Sequence, residues 1–279
     1  MITEVIDDTT HIWFRQSWLD TAFRCPERGR QAIVKPEWDE MTSDSALIGT
    51  AVHHGIEQFL HGNVGSPTQI AGEAEGFLSG YTDDIKWTKY EQFGDLVDQA
   101  TVCSQGWVND ILPDLPNLDD AQPEVNFKIP LWSQHGYTIG ITGTIDLVAD
   151  GQLWDWKTSA RVYNARDKQK HAIQPTIYAM AALNSDLVTA NSFPMDFTYG
   201  VMIRGSKPKG QILKVTRFQG HADFATKRMM QLVDMYHFYG LDKTWPMNDD
   251  HFLCNSTWCP WWSICKGSHL SAAHDRVGD

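Results

Sequence analysis

The pattern that most constrains the fold of this chain is a strand, a two-residue turn and a second strand between residues 138 and 158. Residues 138–149 alternate in hydropathy, and the apolar positions on one parity are Ile139, Ile141, Ile145 and Leu147. Such alternation is typical of a strand with one buried face. Asp150-Gly151 is a strong hairpin signal and leads into a strand at 153–158. The pattern therefore predicts a β-sheet that contains an antiparallel hairpin.

Helical patterns precede this hairpin. Residues from about Ser45 to His61 carry an apolar stripe at helical spacing, and Gly62 supplies a C-terminal stop. Further upstream, Ser17 and Asp20 resemble a capping box that opens a short helix, which Pro26 ends. Two helices are therefore predicted before residue 62.

Residues 63–123 are predicted to form a helical insertion, with helix over most of 73–112 and a loop over 112–123. The remaining predicted elements are strands at 124–131, 196–203 and 211–218 and helices at 172–184 and 221–239. This order predicts an α/β fold with a mixed central sheet flanked by helices. Because 279 residues suffice for one large core, we expect a single domain over residues 1–279.

Composition and charge exclude several classes of protein. No apolar run approaches the length that spans a bilayer, and the acidic N-terminus lacks the features of a signal peptide, so we expect a cytoplasmic protein without a membrane partner. The net charge of −12 argues against coating nucleic acid by bulk electrostatics. Two local groups of basic residues are either nucleic-acid contacts or ordinary solvated surface. Their members are Lys157, Arg161, Arg166, Lys168 and Lys170 in one group, and Arg204, Lys207 and Lys209 in the other.

Two carboxylates and an ammonium are predicted on one side of the sheet. Asp155 and Lys157 share a face because side chains alternate along a strand, and Asp146 has the parity opposite to the apolar residues of the preceding strand. Carboxylate oxygens hold Mg²⁺ or Mn²⁺, the ion polarises a phosphate and acidifies a water, and a lysine stabilises developing negative charge. The pattern suits phosphodiester hydrolysis, with an ordinary cross-strand ion pair as the alternative.

Three motifs together resemble one family of nucleases. The segment GTIDLVADGQLWDWKTS, residues 143–159, is similar to the core of the PD-(D/E)XK nucleases, in which an acidic residue precedes an Asp/Glu-x-Lys strand. GTAVHHGIE, residues 49–57, resembles the G-T-x-x-H-x-x-x-E helix of the RecB-like branch, and Gln174 and Tyr178 match its Q-x-x-x-Y helix. The resemblance implies a restriction-endonuclease-like core.

The resemblance also implies a role for each matching residue. The implied metal ligands are His53, Asp146, Asp155 and the backbone carbonyl of Trp156. The implied catalytic set is Asp146, Asp155 and Lys157, supported by Glu57, Gln174 and Tyr178, of which the last two contact DNA or buttress the site. Further DNA contacts are expected from Arg161, Arg166, Lys168 and Lys170. Pro175 is a departure, since the family more often has an aliphatic residue there.

The five cysteines are distributed unevenly. Cys254, Cys259 and Cys265 lie within twelve residues, Cys25 is far upstream, and Cys103 is expected to be a buried thiol. An odd number of cysteines in an intracellular chain argues against disulfides, and the crowding of three indicates a metal or a cluster.

The one-plus-three arrangement resembles the iron–sulfur branch of the RecB-like nucleases, which includes AddB nuclease domains and the CRISPR-associated exonuclease. The resemblance implies a [4Fe–4S] cluster on Cys25, Cys254, Cys259 and Cys265, which joins Cys25 to the cysteine-rich segment 251–267. Four residues separate Cys254 from Cys259, where the family has two. Zn²⁺ at the same cysteines is the alternative. Nearby tryptophans are expected to form an apolar shell, with DNA stacking as the alternative role: Trp258, Trp261 and Trp262.

The sequence thus predicts a deoxyribonuclease that uses Mg²⁺ or Mn²⁺, and the resemblance implies exonuclease action on single-stranded DNA or DNA ends. Two alternatives stay open. One is a catalytically idle DNA-binding or scaffold subunit with the same fold, and the other is a structure-specific or CRISPR-adaptation endonuclease. Repair, recombination, phage replication and CRISPR adaptation all fit, with a helicase or a recombination or CRISPR-adaptation protein as the expected partner.

Overall fold

Both strands and helices are present in the described part of the chain, which is residues 1–39, 41–248 and 250–265 of a computed structural model. The strands are β1 (Ile2–Ile6), β2 (Thr9–Arg15), β3 (Thr42–Ser43), β4 (Ile85–Lys86), β5 (Gln122–Gln134), β6 (Tyr137–Ala149), β7 (Gln152–Ser159), β8 (Met195–Ile203) and β9 (Gly210–Arg217). The α-helices are α1 (Gln16–Arg24), α2 (Pro26–Val34), α3 (Asp44–Leu60), α4 (Ile70–Ser79), α5 (Phe93–Asp110), α6 (Ala165–His171), α7 (Gln174–Leu183), α8 (Gln219–Tyr239) and α9 (Trp262–Cys265). None of these helices combines the length and apolar composition that a membrane span requires, within the residues described.

The strands and helices predicted from residue 45 onward are present, with ends shifted by a few residues, whereas the N-terminal region differs from the prediction. The first two strands, β1 and β2, were not predicted, and neither was the short helix α6. The capping box at Ser17 is wrong, because α1 begins at Gln16 after Arg15 and has no side-chain cap. Asp20 instead pairs with Arg24 one turn later, at 3.0 Å.

Two compact units share the chain, and both are discontinuous in sequence. The smaller unit consists of Met1–Glu40, Pro130–Ile141 and Asp223–Asp279, and the larger unit of Met41–Ile129 and Thr142–Ala222. The long strands β5 and β6 each run through both units. A single-domain organisation therefore stays a prediction.

The larger unit contains a mixed sheet, as predicted. β6 and β7 are antiparallel around Asp150-Gly151, whose φ angles of 48° and 69° suit a two-residue hairpin turn. β7 and β8 run parallel, from Leu153 opposite Phe197 to Ser159 opposite Ile203. A parallel pair needs a crossover connection, which α6 and α7 supply. β9 then returns antiparallel beside β8.

Alternate residues of β7 face opposite sides of this sheet. Trp156 faces α5, where its ring meets Trp107 edge-on with centroids 5.7 Å apart. Asp155 faces α7, where its carboxylate contacts Gln174. The sheet is thus flanked by helices, with α3 and α5 on one face and α6 and α7 on the other.

The predicted insertion, residues 63–123, supplies α4 and α5. Both helices pack against α3 and bury an apolar core with the sheet, which includes Ile48, Val52, Ile70, Leu96 and Trp107. At Gly106 an added Cβ would lie 2.8 Å from the backbone of Lys209, so only glycine lets α5 approach the start of β9 this closely. The insertion therefore belongs to the core that supports the sheet.

Asp44 fixes the start of α3. Its fully buried carboxylate accepts hydrogen bonds from the backbone N–H groups of Thr88, Lys89 and Tyr90 at 2.7, 2.6 and 3.0 Å. Burial opposes the charge, but these bonds outweigh it and hold the pKa of Asp44 well below its usual range. The helix is thereby tied to the loop that precedes α5.

The smaller unit contains a buried network centred on Glu27 of α2, which is 2% exposed. The Glu27 carboxylate accepts hydrogen bonds from the Arg30 guanidinium at 2.7 and 2.8 Å and from the Gln31 amide at 2.8 Å. It also accepts the backbone N–H of Trp245 at 2.7 Å. Because the charge is paired and hydrogen-bonded, its burial is compensated. These bonds tie α2 to the segment that follows α8.

Candidate active site

The candidate site lies where β6 and β7 separate. Their ladder runs from the turn to the pair of Leu147 and Trp154. Beyond it, the backbone N–H of Trp156 donates to Asp146 Oδ2 at 2.6 Å. If the same register continued, Asp146 would lie opposite Asp155. Instead the ladder ends, and the Asp146 carboxylate binds the backbone of β7, the strand that carries Asp155.

Asp155 is held from two sides. Its Oδ1 accepts a hydrogen bond from Gln174 Nε2 at 2.6 Å, and its Oδ2 lies 2.5 Å from Lys157 Nζ. Gln174 also donates to the Tyr178 hydroxyl at 3.2 Å, one turn further along α7. Pro175 occupies the first turn of α7, where a missing N–H costs no hydrogen bond. The departure from the family pattern at Pro175 thus leaves Gln174 in contact with the site.

Burial is the main influence on the charges of these groups. It raises the pKa of Asp155 to about 6, with Lys157 opposing and Asp146 reinforcing the change. It also raises the pKa of Asp146 to about 6, against the effects of Lys157 and of the hydrogen bond from the Trp156 backbone. Burial opposes the charge of Lys157, but the two carboxylates outweigh it and raise the pKa of Lys157. One ammonium faces two carboxylates, so ionisation of both leaves a negative charge that suits a divalent cation.

His53 of α3 points at Asp146, with its Nδ1 3.5 Å from Asp146 Oδ2. Burial and the Lys157 ammonium lower the pKa of His53 to about 4. The imidazole is therefore neutral at pH 7, which is the form that binds metals. His54 instead packs its ring against Phe77, with centroids 5.3 Å apart. The histidine that the motif assigns is thus the one that faces the carboxylates.

A further carboxylate, Glu124 at the start of β5, was not predicted. Its φ of 50° is unusual for a non-glycine residue. Burial, together with the charges of Asp146 and Glu57, raises the pKa of Glu124 to about 7. Glu57 itself lies 3.9 Å from His54 Nδ1 and 3.8 Å from His61 Nε2. Sequence reasoning missed Glu124 because only the pairing of β5 with β6 brings it near the site.

The donor types at the site suit a divalent cation. Two carboxylates and the backbone carbonyl of Trp156 are the oxygen donors that Mg²⁺ and Mn²⁺ prefer, and His53 adds a neutral nitrogen. Across the described ranges, no three His, Cys, Asp or Glu side chains are already spaced as a metal site. The Lys157 ammonium occupies Asp155 Oδ2, so an entering cation competes with it.

The basic residues predicted to contact DNA lie on the connection after β7 and on α6. The exposed ones are Arg161, Arg166 and Lys170. Lys168 is half-buried, with its Nζ 3.7 Å from the centroid of the Tyr163 ring. Burial raises the pKa of Tyr163 while the Lys157 ammonium opposes the change, so this tyrosine lies near the site.

Helix α6 is anchored by Arg217 of β9. The guanidinium of this fully buried arginine donates to the backbone carbonyls of Lys168, Gln169 and Ala172 at 2.9, 3.1 and 3.0 Å. Lys168 and Gln169 belong to the last turn of α6 and Ala172 follows it directly, in the part of a helix whose carbonyls lack a full set of helical partners. The Arg217 side chain therefore caps the helix that carries three of the four basic residues.

In the smaller unit, four cysteines line one cavity: Cys25, Cys254, Cys259 and Cys265. Burial, Glu27 and the other three cysteines raise the pKa of Cys265 to about 11, and its Sγ lies 3.3 Å from Met247 Sδ. All four are free thiols. Residues 266 and 267, which end the predicted cysteine-rich segment, lie outside the described residues.

The tryptophans near these cysteines divide into two groups. Trp261, which is 2% exposed, and Trp262 line the cavity, as an apolar shell requires. Trp258 is 59% exposed, so the prediction of a shell is wrong for this residue. Its backbone N–H bonds to the Asn255 side chain in a turn, which fixes the backbone there.

Cys103 is fully buried in α5, as predicted, and burial raises its pKa to about 12.

Fold and site together define a class of enzyme. A mixed sheet that carries Asp146 and an Asp155-x-Lys157 strand, flanked by helices, is the arrangement of a nuclease core. The sequence model of the PD-(D/E)XK nuclease superfamily matches residues 17–266. The chain therefore belongs to the PD-(D/E)XK nuclease superfamily, whose members are nucleases and typically use Mg²⁺ or Mn²⁺.

Two other comparisons add less. Comparison with curated proteins gives no significant match. Among solved structures, the crystal structure of SSO0001 covers 94% of this chain and 88% of its own, at 15% identity and a TM-score of 0.45. The family assignment therefore depends on the superfamily match.

Proposed function

We propose that the protein is a metal-dependent deoxyribonuclease whose metal ligands are His53, Asp146, Asp155 and the backbone carbonyl of Trp156. The observation that carries this proposal is the opened β6–β7 hairpin, which gathers two buried carboxylates and Lys157 beside a neutral histidine. Mg²⁺ or Mn²⁺, when bound there, supplies polarisation of the scissile phosphate and a more acidic water.

The side chains of this chain then have distinct tasks. The Lys157 ammonium, kept protonated by the two carboxylates, orients the attacking water and stabilises the charge that develops on the phosphate oxygens. Gln174 donates to Asp155 Oδ1 and fixes the orientation of that carboxylate, and Tyr178 accepts the second hydrogen bond of the same amide. Asp146 is oriented by the backbone of β7.

We place the protein, as a proposal, in the RecB-like branch, with exonuclease action on single-stranded DNA or DNA ends. Two contacts support this placement: His53 rather than His54 faces Asp146, and Gln174 contacts Asp155, which agrees with one of the two roles that the resemblance implies for Gln174. Glu57 is proposed to support the site through its charge. The proposed DNA contacts on the segment after β7 are Arg161, Arg166, Lys168 and Lys170.

A [4Fe–4S] cluster on Cys25, Cys254, Cys259 and Cys265 is also proposed, with Zn²⁺ at the same residues as the alternative. The support is that these four thiols line one cavity and follow a one-plus-three distribution along the chain. Such a cluster would cross-link the junction of α1 and α2 to the C-terminal segment and take no part in hydrolysis. Analysis of iron, zinc and acid-labile sulfide in anaerobically purified protein separates the two alternatives.

Digestion of end-labelled linear DNA and closed circular DNA, each single- and double-stranded, tests the activity with Mg²⁺, Mn²⁺ or EDTA. We expect metal-dependent release of short products from linear DNA and survival of the circles. Asp155→Asn should lower the rate by ~100-fold or more, because a neutral amide neither neutralises a cation nor pairs with Lys157. Asp196→Asn is the matched control, since Asp196 is an exposed strand residue with its side chain 53% accessible.

Each outcome decides between the alternatives. Cleavage of circles as fast as linear DNA would replace the exonuclease by a structure-specific or CRISPR-adaptation endonuclease. Binding of DNA without cleavage in either metal would identify a catalytically idle subunit. Equal rates for Asp155→Asn and the wild type would show that the active site lies elsewhere.

A further inference from the structure

A cleft of about 470 Å³ opens beside the candidate metal site in the larger unit. Its lining includes His53 and Lys157 of that site, together with Gly49, Thr50, Thr158 and Arg204. The proposed hydrolysis uses His53 and Lys157 and assigns no role to Arg204. Within the described chain, no carboxylate lines the cleft, so its charged wall is basic.

Arg204, the residue after β8, has a guanidinium that forms no hydrogen bond or ion pair with the described residues. The Nε and Nη1 atoms of its guanidinium are shielded from solvent and have no hydrogen-bond partner, and no carboxylate pairs with it. Its backbone is fixed, because its N–H donates to the Ser159 carbonyl at 2.8 Å. Arginine cannot lose its proton in a protein, and shielded donor atoms without an acceptor are costly. An anionic group in the cleft would offset this cost.

The strand register sets the distance of this cation from the metal site. β7 and β8 are parallel, and Lys157 lies opposite Val201. Arg204 follows Val201 by three residues, which corresponds to roughly 10 Å along the strand. The two cations therefore reach the one cleft from different positions along the sheet, so a single strand can place its scissile phosphate near Lys157 and a neighbouring phosphate near Arg204.

We propose that Arg204 binds a backbone phosphate of the same DNA strand, next to the scissile one. This inference rests on the proposed function, because it takes a nucleic-acid strand as the substrate of the site. The planar guanidinium can donate to two phosphate oxygens at once. Arg204 is thus a binding residue that holds the strand in the cleft, and it contacts a phosphate that does not react.

Binding of a fluorescent single-stranded oligonucleotide in EDTA, which prevents cleavage, tests the role of Arg204. Arg204→Gln should weaken binding about tenfold and lower the salt dependence by about one phosphate contact. Lys207→Gln removes the same charge from the exposed turn after β8 and outside the cleft lining, and its affinity should stay within about twofold of wild type. Arg204→Lys keeps the charge without the planar fork and should fall between the two.

Oligonucleotides with one neutral methylphosphonate linkage, scanned along the strand, locate the contact. The wild type should lose affinity at one linkage beside the cleavage position, and Arg204→Gln should lose nothing further there. Equal affinities of Arg204→Gln and Lys207→Gln, or the same scan profile for wild type and Arg204→Gln, would overturn the inference. Binding is measured without cleavage, so a protein that binds but never cuts would sink the nuclease proposal while the scan still decides the role of Arg204.

Discussion

At the scale of single residues, Lys157 has two opposed effects on a metal ion. Its ammonium occupies Asp155 Oδ2 at 2.5 Å and so competes with an entering cation. The same charge lowers the pKa of Asp155 and Asp146 against the effect of burial, which keeps both carboxylates available as ligands. Loss of Lys157 would remove a competitor of the metal ion and also a charge that keeps the two carboxylates ionised, in addition to its proposed effect on the reacting phosphate.

The two neighbouring histidines of α3 should differ sharply in their effect on metal binding. We expect His53→Ala to weaken Mn²⁺ binding at least tenfold, which is about 1.4 kcal/mol, because its neutral imidazole faces Asp146. His54→Ala should change Mn²⁺ binding little, since its ring packs on Phe77. Titration calorimetry of both variants measures this difference, and the reverse ranking would put the helix motif out of register by one residue.

Gln174 should act on the metal through Asp155. Gln174→Ala removes the hydrogen bond to Asp155 Oδ1, and we expect the metal concentration for half-maximal cleavage to rise about 10–100-fold. Excess Mn²⁺ should restore most of the rate, because the ligand itself remains. Tyr178→Phe removes only the second acceptor of the amide and serves as the milder control. A defect that high Mn²⁺ leaves unchanged would contradict a positioning role.

Strand parity was enough to predict that Asp155 and Lys157 share a face, because that relation is local. The contacts of Glu124 and Arg204 could not be predicted in this way. Glu124 reaches the site through the pairing of β5 with β6, and Arg204 lines the cleft because β8 lies beside β7. A contact that depends on which strands pair leaves no recognisable pattern in the local sequence of either residue.

At the scale of elements, α6 depends on a side chain from another strand. A helix of seven residues is too short to be stable alone. The fully buried Arg217 of β9 donates hydrogen bonds to backbone carbonyls at the C-terminal end of this helix. The order of the basic surface on α6 therefore depends on these hydrogen bonds from Arg217 to the backbone carbonyls.

Arg217→Met should destabilise the protein by about 3 kcal/mol, because several backbone carbonyls lose their donor in a buried place. Arg217→Lys should recover little of this, since an ammonium cannot reach the same carbonyls as a planar fork. Arg166→Gln, on the exposed side of α6, should stay within about 0.5 kcal/mol of wild type. Urea unfolding gives these values, and faster amide exchange in residues 165–172 of Arg217→Met would locate the defect. Unchanged exchange there would contradict the capping role.

Helices and strands were predicted correctly where apolar residues recur periodically. They were missed where tertiary contacts, rather than a periodic apolar pattern, stabilise the element. The β6–β7 hairpin and α3 have clear apolar periodicity, and both were predicted. α6 is short and polar, so no periodic signal marks it. The turn between β1 and β2 uses Asp7 and Asp8 at φ angles of 47° and 60°, which lacks the glycine that marks the common hairpin turn.

At the scale of the whole molecule, the proposed nuclease site and the proposed cluster belong to different units. The proposed metal ligands lie in the larger unit, and the four cysteines lie in the smaller one. The sequence could not reveal this division, because the two units interleave along the chain. Loss of the cluster is therefore expected to affect the stability of the smaller unit first and the chemistry of hydrolysis only indirectly.

Cys25→Ser should remove iron from the protein and lower its stability, because the lost cross-link closes a very long loop. Closing so long a loop is worth on the order of 4–5 kcal/mol in the chain-entropy model. The Glu27 network forms only in the folded chain and does not constrain the unfolded chain, so we expect a loss of about this size. Cys103→Ala should keep its iron, because Cys103 lies in the core of the other unit.

Combining Cys25→Ser with Glu27→Gln should cost more than the sum of the two single changes, because each tie covers for the other. Urea unfolding of the four proteins of this cycle measures the coupling. Additive losses would show that the two ties act independently. Zinc without iron or sulfide in anaerobic wild-type protein would replace the cluster by a zinc site.

The Glu27 network also sets an order of events during synthesis. Glu27 and the Trp245 backbone are bonded at 2.7 Å but lie 218 residues apart along the chain. At an elongation rate of roughly 5–20 residues per second, α2 waits roughly 10–40 s for this partner to leave the ribosome. All of the larger unit emerges during that interval, including every ligand of the proposed metal site. Helix α2 therefore gains its buried partner only after the whole of the larger unit has been synthesised.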